Sequence, residues 1–353
     1  MPVKYITDWR SKKFTEIIDV RSPKEYYEDH IPKSINLPVL NDSERSLIGS
    51  IYKKDSPFKA KKLGASIISK NISKFIKNEF LYKAGDWKPL IYCWRGGQRS
   101  KSLAIILSEI GWEVFVVKDG YKRYRNYINQ NLNKLTNIFK FIVLRGATGT
   151  GKTKILSRLE KIGCPALNLE VLANHKGSLL GKNAASPQPS QKLFESLIYS
   201  KLNEFDKKYP VIIESESSKI GNLYLPSQMI KKIKISPCID LEANIKARAD
   251  FLVKDYSEFI LNKNNFKDFF RHTRKKLGNK IVSKWGQNYR KSNWNELALQ
   301  LINEYYDPLY KHKKNEKENN ILEIYKLNKI DTSSINKISD YLKEKYFKVS
   351  SKL

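Results

Sequence analysis

At 353 residues the chain is too long for one ordinary core, which implies two domains with some helical extension, and its 41% hydrophobic content is enough for both to fold. Its 66 Lys and Arg against 36 Asp and Glu give a formal charge of +30, spread along the chain, with a pI near 9.8. That excess points to a polyanionic partner, nucleic acid first, although a lysine-rich proteome that raises every surface charge gives the same totals. Three cysteines, at 93, 164 and 238, exclude a disulfide framework and match no zinc spacing. The chain shows no apolar signal region and no stretch near the ~18 apolar residues of a membrane span, so a cytoplasmic protein without membrane contact is expected.

Residues 15–21 read as a short β-branched strand ending on charges, and Ser22-Pro23 opens a helix, an α/β beginning. Prolines punctuate a second extended piece from His30 to Pro38, and a lysine-rich helical stretch covers about 47–83. The apolar run Pro89-Leu90-Ile91 then delivers Tyr92-Cys93-Trp94-Arg95-Gly96-Gly97-Gln98-Arg99-Ser100, a cysteine followed by two glycines and bracketed by arginines. Glycines let backbone N–H groups converge on an anion, and Arg95 and Arg99 add fixed positive charge. Together they suit a reactive Cys93 that attacks or carries an atom; an inert, buried cysteine is the competing reading. A helix over 100–110 would aim its N-terminal dipole at an anion in the loop. A strand at 113–117 closes at Asp119-Gly120-Tyr121.

Asp19-Val20-Arg21 with Glu25, the His30-Ile31-Pro32 turn and the Cys93-Trp94-Arg95-Gly96-Gly97 loop resemble a rhodanese-like domain over residues 1–126. The resemblance implies sulfur or selenium carried on Cys93, with the loop amides holding the transferring group. From Cys93 through Arg99 the loop counts seven residues, where the sulfurtransferase branch of that family typically has six. The seven-residue form resembles the branch that handles larger tetrahedral oxyanions, so a phosphate-sized donor is expected.

An asparagine-rich helical connector at 127–137 leads into a second domain, expected over 138–310. Residues 139–145 read as a strand, followed at once by Gly146-Ala147-Thr148-Gly149-Thr150-Gly151-Lys152-Thr153 and a helix over 154–161. This is the G-x-x-x-x-G-K-[ST] phosphate loop in its strand, loop, helix setting. The turn through Gly146, Thr148, Gly149 and Gly151 wraps a diphosphate in backbone N–H groups, Lys152 reaches the outer phosphate, and Thr153 is placed to hold Mg²⁺. Residues 209–216 read as a buried parallel strand ending in acids, with Glu214 the better ligand for a metal-bound water and Glu216 the fallback; a solvated strand end is the alternative. The polar loop Asn174-His175-Lys176-Gly177-Ser178 suggests substrate contact through His175, which otherwise reads as a surface residue. Arg248, on a helix beginning near 241, either reaches a phosphate or pairs with an acid on its own helix.

From Arg271 to Lys291 cations interleave with Trp285 and Tyr289, a pattern that suits an RNA backbone with splayed bases and equally suits an amphipathic helix with a solvated face. Residues 311–353 read as a charged C-terminal extension. The fold class expected is α/β: an N-terminal rhodanese-like domain plus a P-loop NTPase-like parallel-sheet domain with a helical C-terminal region.

Taken in order, the motifs above, with Pro189-Ser190-Gln191, Phe194-Glu195, Glu214-Ser215-Glu216-Ser217 and Tyr306-Asp307-Pro308, resemble the tRNA 2-selenouridine synthase family over roughly residues 5 to 310. The family usually carries histidine before Tyr-Asp-Pro; Tyr305 stands there in this chain. The resemblance implies a tRNA carrying 2-thiouridine at the wobble position as substrate, with selenophosphate and geranyl diphosphate as co-substrates and no covalently bound cofactor. Cys93, Arg95 and Arg99 would then serve the selenium donor, and the loop from Gly146 to Thr153 the diphosphate. Metal use and oligomeric state stay open. The rivals are a rhodanese-fold cysteine phosphatase or sulfurtransferase fused to an NTP-binding domain, and an RNA-binding adaptor without catalysis.

Overall fold

Continuous apolar runs build the strands that carry both candidate loops. The computed structural model describes the chain apart from residues 1, 12, 179, 182–185, 216, 258–259, 261–264, 315–319 and 348–353. It divides into two units, Met1–Leu132 with Pro189–Ser200, and Asn133–Gln188 with Lys201–Leu353.

In the first unit β1 (Lys4–Ile6), β2 (Glu16–Asp19), β3 (Ile35–Asn36), β4 (Pro89–Tyr92) and β5 (Phe115–Val117) form a parallel sheet in the order β1-β5-β4-β2-β3. Helices α1 (Pro23–Glu28), α2 (Asp42–Lys54), α3 (Pro57–Phe75), α4 (Gln98–Ile110) and α5 (Gly120–Ile138) accompany it. All four residues of the central strand β4 are buried, as a parallel strand covered on both faces requires. Ile18, Ile91, Leu103, Leu107 and Val116 meet in its core, each such side chain contributing about 1.5–3 kcal/mol by leaving water. Cys93 therefore stands at the carboxyl end of the central strand, where open parallel sheets bind ligands.

The second unit has β6 (Phe141–Gly146), β7 (Ala166–Leu167), β8 (Val211–Glu214), a small antiparallel hairpin β9 (Lys219–Ile220) and β10 (Leu223–Tyr224), then β11 (Cys238–Ala243) and β12 (Ile321–Leu327). Its main sheet is parallel in the order β12-β11-β6-β8-β7. The six residues of β6 are all buried, and the phosphate loop leaves this central strand to enter α6 (Lys152–Lys161). Helix α7 (Leu169–Leu172) follows, α8 (Gln191–Glu204) belongs to the first unit as far as Ser200, and α9 (Ser227–Ile235), α10 (Ile245–Asp255), α11 (Asn265–Leu277), α12 (Asn279–Arg290), α13 (Trp294–Leu301), α14 (Asp307–Lys314) and α15 (Thr332–Phe347) complete the second. The architecture is α/β throughout, a rhodanese-like domain and a P-loop parallel-sheet domain with a helical C-terminal region.

The connector at 127–137, read as helical, is the C-terminal part of α5. The boundaries differ from the sequence reading in two places. Residues 189–200, read as part of the second domain, group with the first unit, where the side chain of Phe194 is fully buried. The stretch 311–353 includes an edge strand and a packed helix: β12 pairs with β11 from Cys238 to Ala243, and Ile338 and Leu342 join the core of Ile155 and Leu159. An edge strand exposes most of its side chains, as β12 does, so its composition looks like that of a solvated tail.

Candidate active site

The cysteine loop is held from behind by α5. Asp119 (φ 62°) and Gly120 (φ 54°) take left-handed conformations in succession, which turns the next two N–H groups onto the loop: Tyr121 donates to the carbonyl of Cys93 at 2.8 Å and Lys122 to that of Trp94 at 3.0 Å. A Cβ on Gly120 would stand 2.1 Å from the Cys93 carbonyl oxygen and 2.7 Å from the Gly96 nitrogen, so only glycine fits. Within the loop Gly97 donates its N–H to Cys93 Sγ at 3.2 Å, and Ser100 Oγ lies 3.2 Å from the same sulfur. Cys93 is buried, with 3% of its surface exposed.

The two arginines part company. Arg95 is exposed and has no hydrogen-bonding or acidic partner among the described residues. Arg99 is engaged by Glu25, Nη1 to Oε2 at 2.6 Å and Nη2 to Oε1 at 3.3 Å. Burial pushes the Glu25 carboxyl up, but the hydrogen bonds and charge of Arg99 outweigh it and hold Glu25 below its usual range. Glu25 is itself fixed by the capping box of α1, accepting the Ser22 N–H at 3.1 Å.

The remaining motif residues of this domain form the floor. Arg21 forks onto Asp19, with Nη2 to Oδ2 at 2.6 Å, and reaches the Asp29 carbonyl at 2.6 Å; both ionic side chains are buried. Burial works against the guanidinium, yet the hydrogen bonds and charge of Asp19 carry Arg21 above its ordinary value. Its guanidinium lies 4.0 Å from the ring centre of Tyr121, whose hydroxyl donates to Asp29 Oδ2 at 2.8 Å. Burial raises Asp29 above the usual carboxyl range despite that bond.

In the phosphate loop Gly146 is fixed by crowding, since a Cβ there would meet Thr150 Oγ1 at 2.6 Å and the Leu241 carbonyl at 2.9 Å. Gly151 (φ 80°) turns the chain into α6. Lys152 Nζ lies back on the loop, donating to the Gly146 carbonyl at 2.7 Å. The Thr153 hydroxyl donates to the carboxylate of Glu170, and the Glu170 N–H donates to Glu214 Oε1 at 2.8 Å. Burial pushes the Glu170 carboxyl up while Thr153 and Lys152 draw it back. Glu170 thus occupies the contact expected of the strand acid, and fully buried Glu214 stands behind it. The place of Glu170 in the first turn of α7, three residues past the short strand β7, was its only sequence signal. Glu216, the fallback, lies outside the described residues.

Arg248 neither reaches into the loop's cradle nor pairs along its own helix. It is buried and forks onto Asp307, Nη1 to Oδ2 at 3.0 Å and Nη2 to Oδ1 at 2.6 Å, while Nε holds the Thr148 carbonyl at 2.9 Å. The Tyr306-Asp307-Pro308 motif is thereby tied to the phosphate loop, a link sequence spacing does not show. Tyr305 is a buried core aromatic, edge-on to Phe269 at 5.7 Å. His175 is half-buried, accepts the Gly177 N–H on Nδ1 at 3.1 Å, and is lowered by burial. A cavity of about 400 Å³ opens beside the loop, lined by Ala147, Thr150, Asp240, Asn244, Tyr310 and Asn328. Among the described residues no group of three or more His, Cys, Asp or Glu is placed to hold a metal ion, and no helix is long and apolar enough to cross a membrane.

The helical region sorts its cations from its aromatics. Arg271, Arg274, Lys275, Lys284 and Arg290 are exposed, whereas Trp285 is fully buried and Phe266 and Phe269 nearly so. The splayed-base role suggested for Trp285 is therefore excluded: its indole belongs to the core, donating to Glu304 Oε2 at 2.6 Å.

The comparisons agree with this layout. The family model described as tRNA 2-selenouridine synthase AAA domain matches residues 139–345, and that for the rhodanese-like domain matches residues 3–127. The chain is similar to a tRNA 2-selenouridine synthase of Sulfurovum sp. (strain NBC37-1), 32% identical over 324 residues, 84% of this chain and 88% of the relative. It is 30% identical to that of Shewanella denitrificans over 336 residues, 87% of this chain and 90% of the relative. It is 33% identical to that of Nitrosomonas europaea over 246 residues, 69% of this chain but only 63% of the relative.

Proposed function

The chain belongs to the tRNA 2-selenouridine synthase family, and from that premise we propose that it replaces sulfur by selenium in wobble 2-thiouridine of tRNA in two steps, one at each loop. The observation that carries the reading is that both loops keep their reactive groups in one chain: Cys93 beside an unpartnered Arg95, and Lys152 with Thr153 on the phosphate loop.

In the first step the 2-thio sulfur attacks C1 of geranyl diphosphate; a C–S bond forms, a C–O bond breaks, and diphosphate leaves. Lys152, the loop N–H groups and Thr153 neutralise the charge that develops on the leaving oxygens. Thr153, with Glu170 and Glu214 behind it, would hold a Mg²⁺ ion if the diphosphate is bound with one, and the ion would supply further charge neutralisation there. In the second step selenophosphate adds through selenium at C2, geranylthiol departs with a proton, and water removes the phosphoryl group as phosphate. Selenium stays at its reduced level throughout, so no oxidant or reductant is required and Cys93 need not carry selenium. Cys93 and Arg95 then position the donor.

The test is mass spectrometry of wobble nucleosides after incubation with 2-thiouridine tRNA, geranyl diphosphate and selenophosphate. Geranylated and then selenated nucleosides are expected, and Cys93→Ala should retain the first and lose the second. An unchanged nucleoside, or phosphate release from an aryl phosphate in its place, would sink the reading in favour of a phosphatase. A second reading, a nucleotide on the phosphate loop, is favoured by the polar cavity beside it. Geranyl transfer inhibited competitively by ATP, or dependent on it, would select that reading.

A further inference from the structure

A cavity of about 350 Å³ lies between α11 and α12, far along the sequence from either loop and used by neither step. Its walls are aromatic: Phe266, Phe270 and Tyr289 contact one another, with ring centres 5.0 Å apart for Phe266 and Tyr289 and 5.8 Å for Phe270 and Tyr289. Its rim is cationic. Lys267, Arg274 and Arg290 are exposed, and none has an acidic partner among the described residues. Residues 265–291 carry nine Lys or Arg and a single acid, Asp268.

The floor supplies a second, independent observation. Gly286 sits inside α12, where glycine costs about 1 kcal/mol relative to alanine. Neither packing nor backbone demands it: a Cβ there would meet only Arg290 Nη1, at an ordinary 3.6 Å, and its φ is not left-handed. The fold thus tolerates a side chain at this point, and what glycine preserves is the depth of the cavity.

We infer that this cavity seats one unstacked nucleotide of the RNA substrate, its base against Tyr289 and Phe270 over Gly286 and its flanking phosphates on Arg274, Arg290 and Lys267. Aromatic walls under a basic rim are the chemistry by which unpaired bases are held, because every base has a π-face and every link an anionic phosphate. An isoprenoid chain whose diphosphate sits on the phosphate loop, as proposed above, would use the walls but leave three rim cations without a counter-charge. The inference rests on the tRNA substrate proposed above and names where one of its nucleotides goes.

The test uses the full chain with the Gly286→Leu variant, which fills the cavity, and the double variant Arg274→Ala with Arg290→Ala. Each is titrated by fluorescence anisotropy against a 2-thiouridine-bearing anticodon arm at several salt concentrations, with 2-aminopurine in the loop to report unstacking. Gly286→Leu should melt no lower than the parent, bind between about 5- and 150-fold more weakly, and lose the 2-aminopurine signal with its salt slope unchanged. The double variant should lower the salt slope by about 1.5. A Gly286→Leu protein that melts normally and binds the arm like the parent overturns the inference and leaves the tRNA reading standing. So does one that loses only geranyl diphosphate binding, which would give the cavity to the isoprenoid. A parent protein with no affinity for the arm defeats the tRNA reading itself.

Discussion

Asp307→Asn tests whether the Tyr-Asp-Pro motif acts on the phosphate loop through Arg248. Two charge-assisted hydrogen bonds, at 3.0 and 2.6 Å, would lose their charge, one of them losing its acceptor outright. Removing one partner of a fully buried pair costs about 3–5 kcal/mol. Here the Arg248 side chain is 7% exposed but that of Asp307 is 25% exposed, so water recovers part of the loss. Reducing one charged bond to the neutral level and losing the other, with water recovering part of the cost, gives about 2 kcal/mol. For a domain of 150–250 residues that is a fall of ~4–8 °C in melting temperature. The functional effect follows from Nε, which holds the Thr148 carbonyl at 2.9 Å: a guanidinium released by Asp307 no longer fixes that turn. Calorimetry and steady-state geranylation read by mass spectrometry should show the lower melting point together with a raised KM for geranyl diphosphate. Arg248→Lys should behave similarly, since an ammonium keeps the charge but cannot span Asp307 and Thr148 at once. Wild-type melting and KM in Asp307→Asn would refute the linkage.

Gly120→Ala places a methyl 2.1 Å from the Cys93 carbonyl at a left-handed φ, and the shifted loop should lower selenation about 100-fold or more while geranylation persists; equal loss of both would show a general folding defect instead. Lys152→Ala should slow geranylation by about 100- to 1,000-fold and spare selenation of tRNA supplied already geranylated, as separate nucleoside assays would report. Because Glu25 titrates below its ordinary 4.5 when folded, its contribution is complete above that pH and fades as pH falls through the depressed value; Glu25→Gln should flatten the acid limb of the stability curve, and a limb that tracks wild type would contradict the ion-pair account. Arg95→Ala should raise the KM for selenophosphate with little change in melting temperature, whereas Arg99→Ala should lower the melting temperature as well, by releasing Glu25.

The sequence was most legible where one residue type serves one local geometry. A strand, a glycine turn and a helix identify the phosphate loop because every group in it is contributed within eight residues. The same holds for the cysteine loop, where the Cys93 sulfur meets the Gly97 N–H and Ser100 hydroxyl within eight residues. What spacing could not show were partners brought in from elsewhere in the chain. Arg248 meets Asp307 across 59 residues and Arg99 meets Glu25 across 74, and nothing in either helix's own periodicity announces the match. Glu170 was overlooked for a related reason: the strand before it has two residues, too few to carry a pattern, so the more conspicuous acid at the end of β8 drew the assignment. The aromatics at 285 and 289 failed in the opposite way. Cations alternating with rings look alike whether the rings face out or in, and only packing put Trp285 inside while leaving Tyr289 on a cavity wall.

The arrangement of the two arginines sharpens what the cysteine loop can do. A loop meant to grip a tetrahedral anion with both guanidiniums would hold both free, yet Arg99 already has a carboxylate in a fork at 2.6 and 3.3 Å, and that carboxylate is fixed in turn by the start of α1. To reach a donor, Arg99 must exchange Glu25 for phosphate, leaving a half-buried carboxylate with only Arg45 at 4.0 Å and the Ser22 N–H to hold it, which is costly. Arg95 pays no such exchange. Under the proposed reaction the first contact with the donor's phosphate would fall to Arg95 and the loop's N–H groups, while Arg99 ties the loop to α1 through Glu25. The sequence treats the two arginines as equals; in the structure Arg99 is held by Glu25 and Arg95 is left without a partner among the described residues.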